Sequence, residues 1–513
     1  MSETAVIGVA TRLPGAGSVD AYWTLLREGR NSVRARPHGR WSVERFLRTG
    51  EPEPGFTYTF AGGYLDDPAA FDPVPFGISP RESQQMDPQQ RLLLELTWHA
   101  LEDAGVAPLS LSGRNVGVYV GASLVDYQSG ASHDPAVMES HFMTGNSLSI
   151  LSNRISYSFD LHGPSFTLDS ACSSSFVAVN QAMNALRQGE IDMAIVGGVN
   201  LLLSPAPFIG FSQARMLSPT GLSRPFSQDA DGYVRSEGGV VFVLRRLEDA
   251  VADGNSVRAV LMGAATNSDG RTSGISLPSL DGQRRLIEDL YNDLSFDPNR
   301  LAFVEAHGTG TKVGDPIEAT AIGTAIARHR KAPLPIGSAK SNIGHLEAAS
   351  GLAGLLKSVL AFEHGELPRS LFLERVNTTI DFSALNLAPN ARPLPLLSSG
   401  NDPLMASVCN YGFGGTNAHV VLRAPRMSER QAVGNAASKA VPGARLDAPP
   451  LMLVTAATLP ALQRKAADIA HRLRDGTDAV ALARALGHQQ DLLKARLAAP
   501  LAAREALADT LEA

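Results

Sequence analysis

Short apolar runs rich in β-branched residues alternate with helix-patterned segments along most of this chain, which is the signal for a parallel or mixed sheet covered by helices. "AVIGVA" near the start, "NVGVYVGA" from Asn115, "DMAIVGGVN" from Asp192, "GGVVFVLRR" from Gly238 and "LAFVEAH" from Leu301 read as strands. "DPQQRLLLELTWHALEDAG" from Asp87 carries apolar residues at helical spacing and ends at Gly105; "SSFVAVNQAMNALRQG" does the same up to Gly189. The expected fold class is α/β. At 513 residues the chain exceeds one ordinary domain, although a single large core of duplicated halves with an appendage also suits it. No solenoid-length repeat is found.

From about Arg423 the texture changes. "RAPRMSERQAVGNAASKAVPGARLDAPP" is polar and small-residue and reads as a linker. "LMLVTAA" then looks like a strand, followed by Ala-, Leu- and Arg-rich helical pieces from Pro460 to the end. A large α/β body and a small α/β tail are expected.

Several function classes fall away on composition. Charged residues make up 19% and hydrophobic ones 44%, a soluble globular balance, and the net charge of -6 lacks the basic excess of nucleic-acid binders. Two cysteines cannot make a disulfide framework and show no metal-ligand spacing around them, which points to a reducing, cytoplasmic compartment. "MSETAVIGVATRLPGAG" lacks the basic-then-apolar order of a signal peptide. The apolar run from Met193 to Phe211 is broken by Asn200, Ser204, Pro205 and Pro207, so it reads as a buried strand and loop; a spanning helix needs about 20 mostly apolar residues.

One cysteine stands out. "SFTLDSA" has strand character and "SSFVAVNQAMNAL" helix character, so Cys172 falls at a strand-to-helix turn with serines suited to capping. A helix N-terminus favours a thiolate and lowers its pKa, and N–H groups at the turn could hold an oxyanion. Taken alone, a nucleophile and a buried small hydrophobe are equally good readings. Cys409, inside the apolar pattern "MASVCNYGFGG", reads as structural.

The histidines break the tie. His307 ends "LAFVEAH" and opens "GTGT", whose glycines allow close backbone approach while Thr309 and Thr311 supply hydroxyls. In "DPIEATAIGTAI", Asp315 is expected to cap a helix, Pro316 to take its first position and Glu318 to complete the cap. His345, in "KSNIGHLEAASGLAGLL", also follows a strand and precedes a helix, where an imidazole stays neutral and can donate one N–H; Lys340 could orient it or hold charge. His38, His133, His329, His419 and His488 read as structural or surface residues. Three strand-to-helix junctions of one α/β body can converge outside the carboxyl ends of its strands.

With these motifs in view, the chain resembles the ketosynthase domain of type I polyketide synthases, a branch of the β-ketoacyl-carrier-protein synthases with the thiolase fold. "MDPQQRLLLELTWHALEDAG", "DSACSSS", "GYVRSEGG", "EAHGTGTKVGDPIEA", "KSNIGHLEAASG" and "NYGFGGTNAHVVL" carry the resemblance, over roughly Thr4 to Arg423. It implies duplicated α/β halves, residues 1–260 and 261–424, in a layered αβαβα core, then a linker segment at 425–450 and part of a ketosynthase-acyltransferase linker domain at 451–513. Cys172 would accept an acyl chain from an acyl carrier protein; His307 and His345 would promote decarboxylation of a malonyl-type extender and stabilise its enolate. The N–H groups of Cys172 and Phe413 would form an oxyanion hole, with Phe413 also in the place of the family's gating phenylalanine. Thr309 and Thr311 would contact the phosphopantetheine arm, and Lys340 would support His345. No bound cofactor or metal is implied, since substrates arrive on the carrier's phosphopantetheine. The implied partners are an acyl carrier protein, an acyltransferase domain in cis or in trans and a second copy in a homodimer, with neither nucleic acid nor membrane. Ser236 stands where glycine is common and Phe176 where leucine is usual, departures expected to touch packing or pocket shape.

The neighbouring readings are weaker. A free-standing fatty-acid elongation synthase generally lacks a tail such as that after Arg423. Thiolases and chalcone-synthase-like enzymes resemble Cys-His-Cys or Cys-His-Asn sites, and a non-condensing gatekeeping partner would lose the cysteine or the "HGTGT" histidine. The absence of an acyltransferase "GHSxG" motif and of a docking helix points to a fragment or to a protein relying on partners.

Overall fold

The body strands are apolar on both faces because both faces are covered. In β1 (Thr4–Arg12), Ala5 and Ile7 enter one core cluster while Val6 and Val9 enter another. Successive strand side chains point to opposite sides, so a doubly covered strand reads as an unbroken apolar run. The computed structural model describes residues 3–36, 39–131, 134–397, 402–430 and 451–512.

Ten further strands join β1: β2 (Val116–Gly121), β3 (Ser165–Leu168), β4 (Met193–Asn200), β5 (Gly238–Arg246), β6 (Ala259–Ser268), β7 (Leu301–Glu305), β8 (Leu334–Gly337), β9 (Leu387–Pro389), β10 (Met405–Tyr411) and β11 (Thr416–Arg423). They form an eleven-stranded sheet in the order β9-β8-β7-β10-β11-β6-β1-β5-β4-β2-β3. Its two parts repeat one topology. In the first, β2 runs parallel to β3 and β4, β5 antiparallel to β4, and β1 antiparallel to β5. In the second, β7 runs parallel to β8 and β10, β11 antiparallel to β10, and β6 antiparallel to β11. The parts meet where Thr4, Ala5 and Val6 pair with Leu261, Val260 and Ala259.

Helices make this a layered structure. α1 (Pro88–Asp103) and α2 (Leu148–Phe159) cover the outer face of the first part; α3 (Ser174–Gln188) lies on its inner face. α4 (Leu280–Asp293) and α5 (Gly314–Ala325) cover the outer face of the second part, and α6 (Ser350–His364) shares the middle layer with α3. This is the duplicated α-β-α-β-α arrangement that the resemblance implies.

Small residues let the middle layer close. A Cβ on Gly198 of β4 would lie 3.0 Å from the Ala349 Cα, and one on Gly351 of α6 would lie 2.6 Å from Phe176 Cδ1. Phe176 is thus a fully buried packing residue that takes the space Gly351 leaves.

Two expectations change. The run from Met193 to Phe211 is strand only as far as Asn200; Ala206–Gln213 is a helix. Pro205 caps it and Pro207 sits in the first turn, where a missing N–H costs nothing. In the tail, β12 (Leu451–Ala456) pairs antiparallel with β13 (Ala495–Pro500), a strand in a segment expected to be helical throughout. The tail helices α7 (Leu459–Arg474), α8 (Ala479–Gln489) and α9 (Arg504–Glu512) close a separate core around Met452, Val454, Ile469 and Leu507. The expected linker lies outside the described residues over 431–450. No described helix is long and apolar enough to cross a membrane.

Candidate active site

Cys172 sits in a one-turn 3-10 segment, Ala171–Ser173, between β3 and α3. Its serines do not cap α3 in the ordinary way; they tie the turn to itself. The Ser170 N–H donates to Ser174 Oγ at 2.9 Å, Ser174 Oγ donates to the Ala171 carbonyl at 2.6 Å, and Ser173 Oγ donates to the Ser170 carbonyl at 2.9 Å. That staple holds Ala171 at φ 57, a left-handed conformation that costs a non-glycine residue about 1–2 kcal/mol. Cys172 follows directly on this strained residue and lines the cavity.

His307 follows β7. Glu318 accepts from the N–H groups of His307 at 2.6 Å and Gly308 at 2.7 Å, and Asp315 accepts from those of Gly310, Thr311 and Phe226. The two acids expected to cap α5 therefore brace the loop before it; the cap position is Val313, with no side-chain bond. Lys340 bears on both histidines: its Nζ donates to the His307 carbonyl at 2.6 Å, and its charge also acts on His345.

His345 is gripped on both sides. Its N–H donates to the Val234 carbonyl at 2.7 Å, and its carbonyl accepts from the Ser236 N–H at 2.9 Å. Ser236, the departure from glycine, is fully buried and donates to the Ile343 carbonyl. The His345 Nδ1 accepts the Glu347 N–H at 2.9 Å, which places the proton of a neutral ring on Nε2.

The three junctions converge. Sγ of Cys172 and ring nitrogens of His307 and His345 all lie within 4.8 Å of one another, and the two imidazole centroids are 5.3 Å apart, edge to face. They line a cavity of about 900 Å³ with Thr309, Thr311, Phe211, Tyr233, Tyr411 and Phe413. Thr309 and Thr311 lie with their hydroxyls 3.3 Å apart. The three converging atoms could also hold a soft cation, which the neighbouring Lys340 ammonium opposes by charge.

Electrostatics set protonation. Burial first, then the Lys340 charge, holds both His307 and His345 well below the usual imidazole range, so both are neutral donors. Burial, and next the Glu347 carboxylate, pushes the Cys172 thiol up to about 12; the Phe413 N–H is the largest opposing influence, with Lys340 and the Cys172 N–H also opposing. The lowered thiol expected from the helix start is a raised one here, because desolvation and the Glu347 charge outweigh the N–H groups and the Lys340 charge. The N–H groups of Phe413 and Cys172 are near enough to the sulfur to favour its thiolate.

Other groups escaped the sequence reading. Arg235 is fully buried and forms a two-point ion pair with Glu347, at 2.6 and 3.0 Å, behind His345. Their motifs, "GYVRSEGG" and "GHLEAASG", were both visible, but nothing in either signals the other. Cys409 and His419 are buried with Sγ and Nδ1 3.3 Å apart, and His329 is exposed, as structural readings require. His38, His133 and the side chain of His488 lie outside the described residues.

Known proteins align with this arrangement. The "Beta-ketoacyl synthase, N-terminal domain" family matches residues 1–250 and the corresponding C-terminal domain family matches residues 258–374. The chain is 45% identical over 443 residues to a phenolphthiocerol/phthiocerol polyketide synthase of Mycobacterium tuberculosis, covering 85% of this chain and 23% of that protein. To erythronolide synthase EryA2 of Saccharopolyspora erythraea it is 42% identical over 477 residues, covering 91% and 13%. It thus spans a quarter or less of these relatives' length. Among solved structures, the oxazolomycin ketosynthase domain of Streptomyces albus JA3453 superposes with a TM-score of 0.89 at 36% identity, covering 99% of this chain and 88% of that one. The ketosynthase from module 6 of the bacillaene synthase of Bacillus subtilis 168 gives 0.88 at 34%, covering 99% and 84%. The chain belongs to the β-ketoacyl synthase family, as a ketosynthase domain of the type I polyketide synthase kind.

Proposed function

We propose that this domain performs decarboxylative Claisen condensation on a polyketide chain carried by Cys172. The observation that carries the reading is the approach of Sγ to two neutral imidazoles within 4.8 Å, at one wall of the large cavity. The Cys172 sulfur attacks an acyl thioester on the phosphopantetheine of an acyl carrier protein. The N–H groups of Cys172 and Phe413 hold the oxyanion, and the carrier thiol leaves with the proton. A malonyl-type thioester then loses carbon dioxide; the electron pair of the broken bond forms an enolate whose oxygen receives hydrogen bonds from His307 and His345. Two neutral donors suit that charge, whereas a fixed cation would stabilise the malonyl carboxylate as well. The enolate carbon bonds to the acyl carbon, the Cys172 thiolate leaves and takes a proton, and a β-ketoacyl thioester remains on the carrier.

Thr309 and Thr311 are the proposed contacts of the phosphopantetheine arm. The proposed partners are the carrier protein and an acyltransferase domain in cis or in trans, and the proposed compartment is the cytoplasm. A homodimer is supported by β3, an outermost strand of the sheet leading directly into Cys172, with Phe166 39% and Tyr157 85% exposed beside its open edge. The proposed halves are 1–260 and 261–424, a boundary just inside β6 where the two repeats meet, and the proposed linker domain occupies 451–513.

Intact-protein mass spectrometry tests the reading. Incubation with a panel of acyl thioesters is expected to add one acyl group on Cys172, and Cys172→Ala to take none. His307→Ala and His345→Ala are expected to acylate but not to yield the β-ketoacyl product from a malonyl thioester. A wild-type chain that takes no acyl group, or a Cys172→Ala variant that still condenses, refutes it.

A further inference from the structure

A chain of touching rings lines the cavity that holds the sulfur. Phe413 meets Phe211 at 5.9 Å and 85°, Phe211 meets Tyr233 at 5.9 Å and 72°, and Tyr233 meets His345 at 5.3 Å and 62°. His345 meets His307 at 5.3 Å, and His307 meets Tyr411 at 5.7 Å, two residues before Phe413 on the same chain segment. The circuit therefore begins and ends on one hairpin, whose turn is closed by the Gly412 N–H to the Thr416 carbonyl at 2.8 Å.

Phe413 is the weakly held member. It is 47% exposed, and Phe211 is its ring partner among the described residues. Phe211 itself is well founded. It stands on the helix Ala206–Gln213, whose Phe208 is fully buried, and the Arg235 guanidinium lies 4.7 Å from the Phe208 centroid and 5.5 Å from that of Phe211. Arg235 in turn is fixed by Glu347, whose own N–H donates to His345. One buried cation thus sits behind both the ring that borders Phe413 and the residue that sets the His345 tautomer.

We propose that Phe211 is a positioning residue: its edge-to-face contact fixes the Phe413 ring and so holds the Gly412–Phe413 backbone in its place on the cavity beside Cys172. The proposal deepens the condensing reading and rests on it only for the identity of the acyl donor. The physical step is short. A half-exposed phenylalanine in a glycine turn has several rotamers and backbone states open to it, and an edge-to-face pair selects one. With that pair gone, the Phe413 N–H spends less time near the sulfur, so thiolate and tetrahedral oxyanion both lose a donor.

The test is a double-mutant cycle of Phe211→Ala and Phe413→Leu, with Phe211→Tyr as the conservative variant. One readout is the iodoacetamide alkylation rate of Cys172 at fixed pH, which needs no condensation chemistry. The other is single-turnover acylation from a short acyl thioester. Each single variant is expected to change the alkylation rate and to lower the saturating acylation rate about threefold to tenfold, with the half-saturating concentration unchanged. The double variant is expected to be no worse than either single, and Phe211→Tyr to behave as wild type. Additive alkylation effects, or a Phe211→Ala variant that matches wild type, overturn the proposal. A wild-type chain that alkylates with the expected coupling yet never acylates leaves Phe211 in place and refutes the condensing reading alone.

Discussion

Replacing Arg235 by methionine while Glu347 stays is the most informative single perturbation of the site. Arg235 has no exposed surface and Glu347 almost none, so neither charge can turn to solvent when the other is removed. Stranding one member of such a pair costs about 3–5 kcal/mol, mostly the penalty of an unpaired buried charge. The pair itself is a poor stabiliser, since Arg235 Nη1 has no hydrogen-bond partner despite its burial. Removing both charges, as Arg235→Met with Glu347→Leu, is therefore expected to restore most of the loss. Urea unfolding followed by tryptophan fluorescence reads this cleanly, because all three tryptophans, Trp23, Trp41 and Trp98, lie in the body and none in the tail. In the single variant the Glu347 carboxylate, which already raises the Cys172 thiol, stands unpaired behind the site, and acylation is expected to slow in parallel. A single variant that loses less than about 1 kcal/mol, or a double variant as unstable as the single, would refute the account of the pair as a buried charge balance.

Three smaller changes probe other parts of the molecule. Ala171→Gly relieves the left-handed residue before Cys172 and is expected to raise stability by up to about 1 kcal/mol after the entropy cost of glycine, read as a higher urea midpoint. Gly351→Ala drives a methyl onto Phe176 and is expected to cost about 1–3 kcal/mol, partly recovered by Phe176→Leu in the same chain, by the same measurement. His419 is held by burial at about 3, below its unfolded value of about 6.5, so the unfolded chain binds the extra proton and stability falls as pH drops through that window. Between pH 7 and pH 5 that group accounts for about 2 kcal/mol of acid lability, which His419→Gln should remove from the slope of stability against pH.

What the sequence made legible was local. Cys172, His307 and His345 each announce themselves at a strand-to-helix junction, because strand and helix periodicities change over there and the chain must turn. The bracing of those junctions is long-range and leaves no such mark. Arg235 and Glu347 are 112 residues apart in sequence, and Lys340 reaches back to a carbonyl 33 residues away. Asp315 and Glu318 sit where caps sit, so capping was the natural reading; the loop they face offered unpaired N–H groups nearer than the helix did. The tail strand Ala495–Pro500 escaped for another reason. "ARLAAP" has neither β-branched nor aromatic residues, and its extended form is imposed by pairing with Leu451–Ala456.

The duplication explains why these junctions meet at all. Cys172 lies between β3 and α3, and His345 lies between β8 and α6; β3 and β8 hold the same place in the two repeats. Each repeat sends the helix after that strand into the shared middle layer, so the residues at the two helix starts are carried toward each other from the two parts of the sheet. Gly198 and Gly351 then remove the side chains that would keep the two elements apart. The third member, His307, follows β7, the neighbour of β8, and arrives from the second repeat alone. A nucleophile on one repeat and both donors on the other can have opposite requirements met without compromise. The first repeat strains one residue beside its sulfur, while the second buries two imidazoles enough to keep them neutral. Under that division, Ala171→Gly should slow acylation of Cys172 by loosening its turn yet leave decarboxylation of a malonyl thioester, the task of the other repeat, at its original rate. Equal loss of both rates would show that the two repeats act as one rigid unit.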